Sequence, residues 1–221
     1  MDLDEVKIDL ARQEAERRGL SNEGRSSLAS PLDAFIPRPD VRERFEKRIE
    51  APAALVMEAA TDLDLQSLPL VRAIFWLREK VMRVPPQPAR RRQGLLAETR
   101  ELGWGTLVEE PGRLIVCGAA CQPWRAEVEF TPIPARRFAA YAEPNQVKIA
   151  WTLEAEALGP ALTRFVHETR VVATDAEARA RFGRYWRWAR FGIVAIRLLL
   201  LPAVRRSAER RWAQRGRSPS S

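Results

Sequence analysis

Two consecutive runs of alternating apolar and polar residues, 147–155 and 163–171, constrain the fold of this 221-residue chain more than any other feature. Successive side chains of a β-strand point to opposite faces of the sheet, so such alternation is typical of a strand with one buried face. The Gly159-Pro160 pair between the runs predicts a turn. The sequence therefore predicts an antiparallel pair of strands whose inner side carries Trp151 and His167.

Five further strands and two helices are predicted before this pair. Residues 41–51 alternate in the same way, with Phe45 and Ile49 on one side, and predict the first strand. Pro52 suits the first turn of a helix that ends near Asp62. The remaining predicted elements are a helix over 65–82, an exposed loop over 84–93, and strands over 95–102, 104–109, 114–121 and 138–141. These elements complete a sheet of seven strands.

A long helix is predicted after the last strand. Thr174 and Glu177 have the spacing of a capping box, in which a hydroxyl and a carboxylate each bind a backbone N–H group at the start of a helix. From Phe182 to Leu200, apolar residues recur in steps of three and four, which places them on one helix face. We expect this helix to lie against the sheet, and Pro202 to kink or end it.

The positive charge of the chain is concentrated near its C-terminus. The whole chain carries a net charge of +8, whereas residues 179–217 contain twelve arginines and one glutamate, a net charge of +11. The rest of the chain is therefore mildly acidic, and the basicity belongs to one segment. We predict three parts: an N-terminal appendage with a flexible linker over 1–32, a domain over 33–204 and a basic tail over 205–221.

Composition excludes several classes of protein. Two cysteines cannot form a disulfide-rich scaffold, and a single histidine leaves no multi-histidine metal site. The acidic first residues differ from a secretory signal, and the most apolar stretch, 191–204, is shorter than the roughly 20 residues of a membrane-spanning helix. We expect a cytoplasmic protein without a metal or other cofactor, with peripheral contact to a membrane as an alternative.

Three stretches of the sequence resemble, in this order, the START-like (SRPBCC) superfamily, in a poorly characterised bacterial branch. They are RERFEKRIEAPAALVMEAATDL, LGWGTLVEEPGRLIVCGAACQPW and TRFVHETRVVATDAEARARFGRYWRW. The resemblance implies an α+β helix-grip fold: a curved antiparallel sheet, here of seven strands with two short helices after strand one, wrapped around a long C-terminal helix. Members include lipid carriers, binders of hydrophobic ligands and aromatase/cyclases, without a shared catalytic motif. We therefore expect non-catalytic binding of a hydrophobic small molecule or lipid between sheet and helix, with a cyclase/aromatase-type enzyme as one alternative.

The candidate residues for lining this cavity lie on the inner side of the predicted strands or on the last helix. They are Phe45, Ile49, Trp104, Cys117, Trp151, Phe165, His167, Tyr185 and Trp186. Small residues at 118–120 leave room for either a closely packed helix or a ligand. His167 has the chemistry of a general acid or base, but a hydrogen bond to a neighbouring strand or helix is the simpler interpretation. Cys117 and Cys121, four residues apart on a strand, are expected to be separate buried thiols.

The end of the last helix is a second candidate site, because leucines there are predicted to point away from the sheet and arginines follow them. The candidate residues for contact with a membrane or a partner are Leu198, Leu199, Leu201, Arg205, Arg206, Arg210 and Arg211. An anionic membrane surface, an oligomer contact or the N-terminal appendage could cover them, and nucleic acid is expected least because no DNA-binding motif is found. A peripheral membrane-associated or structural protein is thus another alternative, although an exposed arginine-rich helix is the simplest interpretation.

Overall fold

The computed structural model describes residues 30–64 and 94–215. The predicted appendage up to residue 29, the predicted helix over 65–82 and the predicted loop over 84–93 lie outside the described residues. The described residues contain a 3₁₀ turn (Pro31–Ala34) and four helices. The helices are α1 (Ala53–Thr61), α2 (Leu95–Glu101), α3 (Ala135–Phe138) and α4 (Ala176–Arg215).

Six strands form one antiparallel sheet within the described ranges, in the order β1-β6-β5-β3-β2, with β4 paired to β3. They are β1 (Val41–Ile49), β2 (Gly105–Glu110), β3 (Leu114–Cys121), β4 (Thr131–Pro132), β5 (Val147–Gly159) and β6 (Leu162–Ala173). The two runs of alternating residues form β5 and β6, the predicted antiparallel pair. The first strand lies beside the last, with Phe45 opposite His167.

Helices α1 and α4 pack against one side of the sheet, which we call the inner face. The second half of α4 packs there with α1, and Leu200 and Val204 join Ile49 in one apolar cluster. The first turns of α4 form a separate cluster, in which Phe182 packs with Val171. An antiparallel sheet against a long C-terminal helix confirms the α+β helix-grip class, although the described residues contribute six strands where seven were predicted.

The predicted strand over 95–102 is wrong, because Leu95–Glu101 forms helix α2. The segment LLAETRE consists mainly of leucine, alanine, glutamate and arginine, which favour helices. The Thr99 hydroxyl donates a hydrogen bond to the carbonyl of Leu95 one turn earlier, at 2.7 Å. Leu95 and Leu96 pack against the inner core, so helical propensity and apolar burial act together here.

The predicted strand over 138–141 is also wrong. Pro134 precedes the short helix α3, which places the completely buried ring of Phe138 against the sheet face opposite to α4, here called the outer face. A Cβ atom at Gly118 would lie 2.6 Å from both the Phe138 ring and the Leu107 side chain. The space predicted at 118–120 is therefore filled, at Gly118, by the protein's own side chains.

Asp175 caps the start of α4, where the sequence predicted Thr174. The Asp175 carboxylate, not the Thr174 hydroxyl, accepts a hydrogen bond from the N–H group of Ala178, at 2.7 Å. The Thr174 hydroxyl instead donates to the carbonyl of Gln146 at 2.9 Å. Asp175 also accepts a hydrogen bond from the N–H group of Asn145, and these backbone donors hold the pKa of Asp175 below its ordinary value.

Helix α4 does not end at Pro202. The proline removes one helical hydrogen bond, but Leu201 and Ala203 beside it are both buried, so tertiary packing maintains the helix. Residues 205–215, predicted as a basic tail, continue the same helix as far as Arg215. Ala208 is completely buried, so this segment packs with the domain.

Candidate functional site

Three aromatic side chains on or beside the inner face form a continuous row that ends at His167. The Phe130 ring lies 4.8 Å from the Trp104 ring, and Trp104 meets Trp151 edge-on at 6.2 Å between ring centroids. The Trp151 ring lies 6.2 Å from the imidazole of His167. We call these four residues the aromatic row. Trp151 and His167 are buried and the other two rings are half-buried, so the row is a run of aromatic rings within the inner core with one polar side chain at its end.

His167 is held by the neighbouring strand. Its Nδ1 atom lies 2.7 Å from the carbonyl oxygen of Thr152 on β5. A carbonyl oxygen only accepts hydrogen bonds, so Nδ1 carries the proton and, in the neutral ring, Nε2 is the acceptor. The predicted hydrogen bond to a neighbouring strand is confirmed. It also fixes the orientation of the ring at the end of the aromatic row.

The two cysteines are buried free thiols, as the sequence predicted. Cys117 lies directly opposite Trp151 in the β3-β5 register, whereas Cys121 lies in the cluster around Phe182. Burial raises the pKa of each thiol to about 12, so both are protonated near neutral pH. Within the described ranges, no group of three or more His, Cys, Asp or Glu side chains is arranged to hold a metal ion.

The other predicted lining residues belong to two separate clusters. Phe45, Ile49 and Phe165 are buried in the cluster around α1 and the second half of α4, which also contains Trp151. Tyr185 and Trp186 are half-buried and pack beside Phe182 at the other end of the sheet. Phe130 belongs to that second cluster and contacts Trp104, so the aromatic row connects the two.

The middle of α4 packs less tightly than its ends. Ala178 and Phe182 are buried at one end, and Leu200, Leu201 and Val204 at the other. Between Phe182 and Leu200, every described side chain is half-buried or exposed. The aromatic row joins the clusters of these two regions, because Trp104 and Trp151 belong to one and Phe130 to the other.

Two clefts lined by described residues open at the surface. One, of about 350 Å³, is lined by Glu58, Arg211, Gln214 and Arg215. The other, of about 520 Å³, is lined by Trp124, Arg181, Arg184, Tyr185 and Trp188. Of the nine predicted lining residues, Tyr185 alone borders either cleft. The predicted cavity between sheet and helix therefore stays a prediction.

The leucines near the end of α4 do not form the predicted outward-facing patch. Leu201 is buried in the inner core, and Leu198 packs against it, while Leu199 is half-buried. These residues cover α1 and the edge of the sheet because α4 continues past Pro202 and packs along α1. The need for an external partner, which the sequence pattern suggested, is met within the domain for Leu198 and Leu201.

Two of the four predicted contact arginines also have partners within the domain. Arg205 pairs with Glu209 at 2.9 Å, and Arg211 pairs with both Glu58 and Asp62 at 3.0 Å. Arg206 and Arg210 are exposed. Arg211 thus joins α4 to α1, a role that the charge pattern did not predict.

A network of buried charges lies on the outer face, and the sequence analysis did not predict it. Glu168 is completely buried and accepts hydrogen bonds from Arg42 and Arg44 at 2.9 Å and from Arg170 at 2.7 Å. Burial alone would raise the pKa of Glu168, but these three guanidinium groups hold it below its ordinary value. Arg170 also pairs with Asp33 at 2.6 Å, which joins the sheet to the 3₁₀ turn.

Lys148 is a second buried charge on the outer face. Its Nζ atom donates to the carbonyl oxygens of Phe138 at 3.1 Å and Ala139 at 2.8 Å. Burial lowers the pKa of Lys148. These charges hold α3 and the 3₁₀ turn against the sheet, so their role is structural.

Phe130 is the member of the aromatic row that was absent from the predicted site. It lies in the segment EVEF, where Val128 and Phe130 alternate with Glu127 and Glu129. This alternation indicates that Val128 and Phe130 share an inward side. Val128 and Phe130 both pack against the cluster around Phe182.

Comparison with known proteins gives weak similarities only. No family model matches the chain, and no curated protein matches significantly. A crystal structure of DR_A0006 from Deinococcus radiodurans is 16% identical, with 69% of this chain and 99% of that chain covered, at a TM-score of 0.29. The ZhuI aromatase/cyclase from Streptomyces sp. R1128 is 14% identical, with 80% and 96% covered, at a TM-score of 0.28. At these scores neither similarity carries an argument about this chain.

Proposed function

We propose that this domain binds a hydrophobic small molecule or lipid, without chemistry, between the aromatic row and the middle of α4. One observation carries the proposal. The row Phe130, Trp104, Trp151 and His167 links the two clusters in which the ends of α4 are buried, and the described side chains of the helix between those ends are half-buried or exposed. Aromatic rings next to a helix that is buried only at its ends suit an apolar ligand.

Polar side chains lie beside the apolar rings of the row. His167 is held at its Nδ1 atom by the Thr152 carbonyl, which fixes the orientation of its ring next to Trp151. Thr169 lies on the inner face beside Trp151 in the β5-β6 register. A ligand with an apolar body and a single polar group matches this combination.

Native mass spectrometry of protein purified without detergent tests the proposal. We expect an adduct that organic extraction removes. The extracted protein should then bind the uncharged fluorescent probe N-phenyl-1-naphthylamine with an increase in probe fluorescence. The probe carries no charge, so its binding does not report on the arginines of α4.

The variant Trp104→Ala provides the residue-level test. Removal of this half-buried ring interrupts the aromatic row, and we expect the Kd for the probe to rise about tenfold, since aromatic contacts contribute up to about 1.5 kcal/mol. Trp212→Ala is the matched control, because Trp212 lies exposed near the end of α4, away from the row. Equal probe affinities of both variants and the unchanged protein, together with the absence of an extractable adduct, contradict the proposal.

A further inference from the structure

The middle of α4 exposes two large aromatic side chains to solvent. Trp188 is 81% exposed and Phe191 is 66% exposed, the highest values among large hydrophobic residues in the described ranges. Arg184, Arg187 and Arg190 are exposed in the same stretch of helix. We call Arg184, Arg187, Trp188, Arg190 and Phe191 the Trp188 face.

The Trp188 face lies on the side of the helix opposite to the sheet. At about 100° per residue, its five members fall within an arc of about 160°. Phe182 and Ala189 lie on the opposite side, where Phe182 is buried against the sheet. The exposed aromatic residues therefore do not lie at the edge of the hydrophobic core, and their apolar surface has no partner in the described part of the chain.

The charges of this face are not neutralised within the described residues. Helix α4 contains no acidic residue between Glu177 and Glu209. The arginines toward its two ends form ion pairs, as in Arg179 with Asp40 and Arg211 with Glu58. No carboxylate in residues 30–64 or 94–215 forms an ion pair with Arg184, Arg187 or Arg190.

Arg190 stays on the face instead of reaching toward the domain, because its guanidinium lies over the Phe191 ring at 4.8 Å from the centroid. Beside Trp188, the surface cleft of about 520 Å³ is lined by three aromatic rings, by Arg184, and by Arg181, whose guanidinium also pairs with Glu177. Arginine guanidinium groups bind phosphate oxygens through paired hydrogen bonds. The cleft thus has the chemistry to receive an anionic headgroup next to the exposed rings.

We propose that the Trp188 face binds the surface of an anionic lipid bilayer, with α4 parallel to the membrane plane. Tryptophan and phenylalanine insert at the boundary between headgroups and acyl chains, and arginines beside them attract anionic lipid. No helix in residues 30–64 and 94–215 is long and apolar enough to span a bilayer, so this contact is peripheral.

The same observations disfavour two other occupants. In a symmetric dimer through this face, Arg184, Arg187 and Arg190 of each copy would approach those of the other, which costs electrostatic energy. A single helix face is convex, whereas sites for single-stranded nucleic acid are positively charged grooves that follow the backbone. An anionic bilayer offers both a flat surface for the helix and an apolar layer for the two rings.

Vesicle flotation tests the proposal with the full chain. We expect the protein to float with vesicles that contain about 30% phosphatidylserine in phosphatidylcholine. It should not float with vesicles of phosphatidylcholine alone, because arginines near the surface are attracted by anionic headgroups. The variant Arg184→Gln, Arg187→Gln, Arg190→Gln should lower the partition coefficient about a hundredfold. The variant Trp188→Ser, Phe191→Ser should lower it about tenfold or more.

Matched controls lie on the same helix nearer its end. The variant Arg205→Gln, Arg206→Gln, Arg210→Gln removes three positive charges from the surface that the sequence pattern favoured, and Trp212→Ser removes another exposed ring. Both should float like the unchanged protein, within about threefold. Because the substituted side chains are exposed, all variants should keep their circular dichroism and thermal midpoint.

Three results would each overturn the proposal. The first is flotation that the variants of the Trp188 face leave unchanged, or that the controls reduce equally. The second is a dimer, detected by light scattering, that Trp188→Ser, Phe191→Ser dissociates while no vesicle binding occurs. The third is tighter retention of the protein on a single-stranded oligonucleotide than on anionic vesicles.

Discussion

Substitution of Glu168 by glutamine tests whether the buried charge network holds the outer face together. Glu168 is completely buried, and its carboxylate accepts charge-assisted hydrogen bonds from Arg42, Arg44 and Arg170. Glutamine has nearly the same size, but it removes the negative charge and presents an NH₂ group where donors already converge. The substitution therefore perturbs the charge with little change in volume.

The expected cost follows from the exposure of the three arginines. Arg170 is only 2% exposed and keeps Asp33 as its one other ion-pair partner in the described residues, whereas Arg42 and Arg44 reach solvent. Removing one member of a buried pair costs about 3–5 kcal/mol. Because two of the three partners can be rehydrated, we expect the free energy of unfolding to fall by about 3 kcal/mol, at the lower end of that range.

Denaturation in urea at neutral pH, followed by circular dichroism, measures this change. Glu109→Gln is the matched control, since Glu109 forms an exposed ion pair with Arg100 at 2.8 Å, and we expect a loss of less than about 1 kcal/mol. Adding Arg170→Met to Glu168→Gln removes the unpaired guanidinium, so the double variant should lose less stability than the sum of the single variants. A loss below about 1 kcal/mol for Glu168→Gln at an unchanged denaturant slope, or strict additivity in the double variant, refutes the reasoning.

The network also predicts the sign of a pH dependence. The three arginines lower the pKa of Glu168 in the folded protein, so its stabilising contribution is present above the ordinary glutamate pKa of about 4.3. That contribution is lost as the pH falls through the lower folded-state pKa, because the carboxylate is then protonated. Glu168→Gln should consequently show a smaller loss of stability on acidification than the unchanged protein does.

Two further substitutions test local features of the fold. Gly118→Ala should lower the free energy of unfolding by about 1–3 kcal/mol, since its Cβ would collide with the buried Phe138 ring. Adding Phe138→Leu should recover part of this loss. Equal thermal stability of Gly118→Ala and the unchanged protein would argue against this close contact. Asp175→Ala should lower the thermal midpoint by about 3 °C through loss of the α4 cap, while Asp175→Asn, which keeps an acceptor for the Ala178 N–H group, should lower it less.

Sequence patterns predicted the inner face well because its signals are local. The alternation in 41–51, 147–155 and 163–171 predicted β1, β5 and β6 and placed Trp151 and His167 on one side of the sheet. The three- and four-residue steps after Phe182 likewise predicted α4. Each of these patterns spans enough residues for its period to be distinguished from chance.

The outer face could not be predicted in the same way. Alternation places Glu168 and Arg170 opposite His167, but it does not state whether that side meets water or protein. Their burial depends on the 3₁₀ turn, more than a hundred residues earlier in the chain, and on the segment around α3. Short segments such as α2 and α3 were misassigned for a related reason, because a few apolar residues fit a helix and a strand equally well.

The packing of the outer face leaves no room for an apolar ligand at Gly118. The outer face is occupied at Gly118 by Phe138, and its charges are bound by the protein's own groups, so a ligand there would have to displace buried side chains. We therefore keep the proposed ligand site on the inner face, while the side of α4 turned away from the sheet carries the Trp188 face.

Because the two proposed sites lie on opposite sides of one helix, they should be separable by mutation. Trp104→Ala should weaken binding of the uncharged probe and leave vesicle flotation intact. Trp188→Ser, Phe191→Ser should abolish most flotation and leave the probe affinity intact. If each variant impaired both activities while remaining folded, the assignment of ligand binding to the inner side and membrane binding to the outer side of α4 would be wrong.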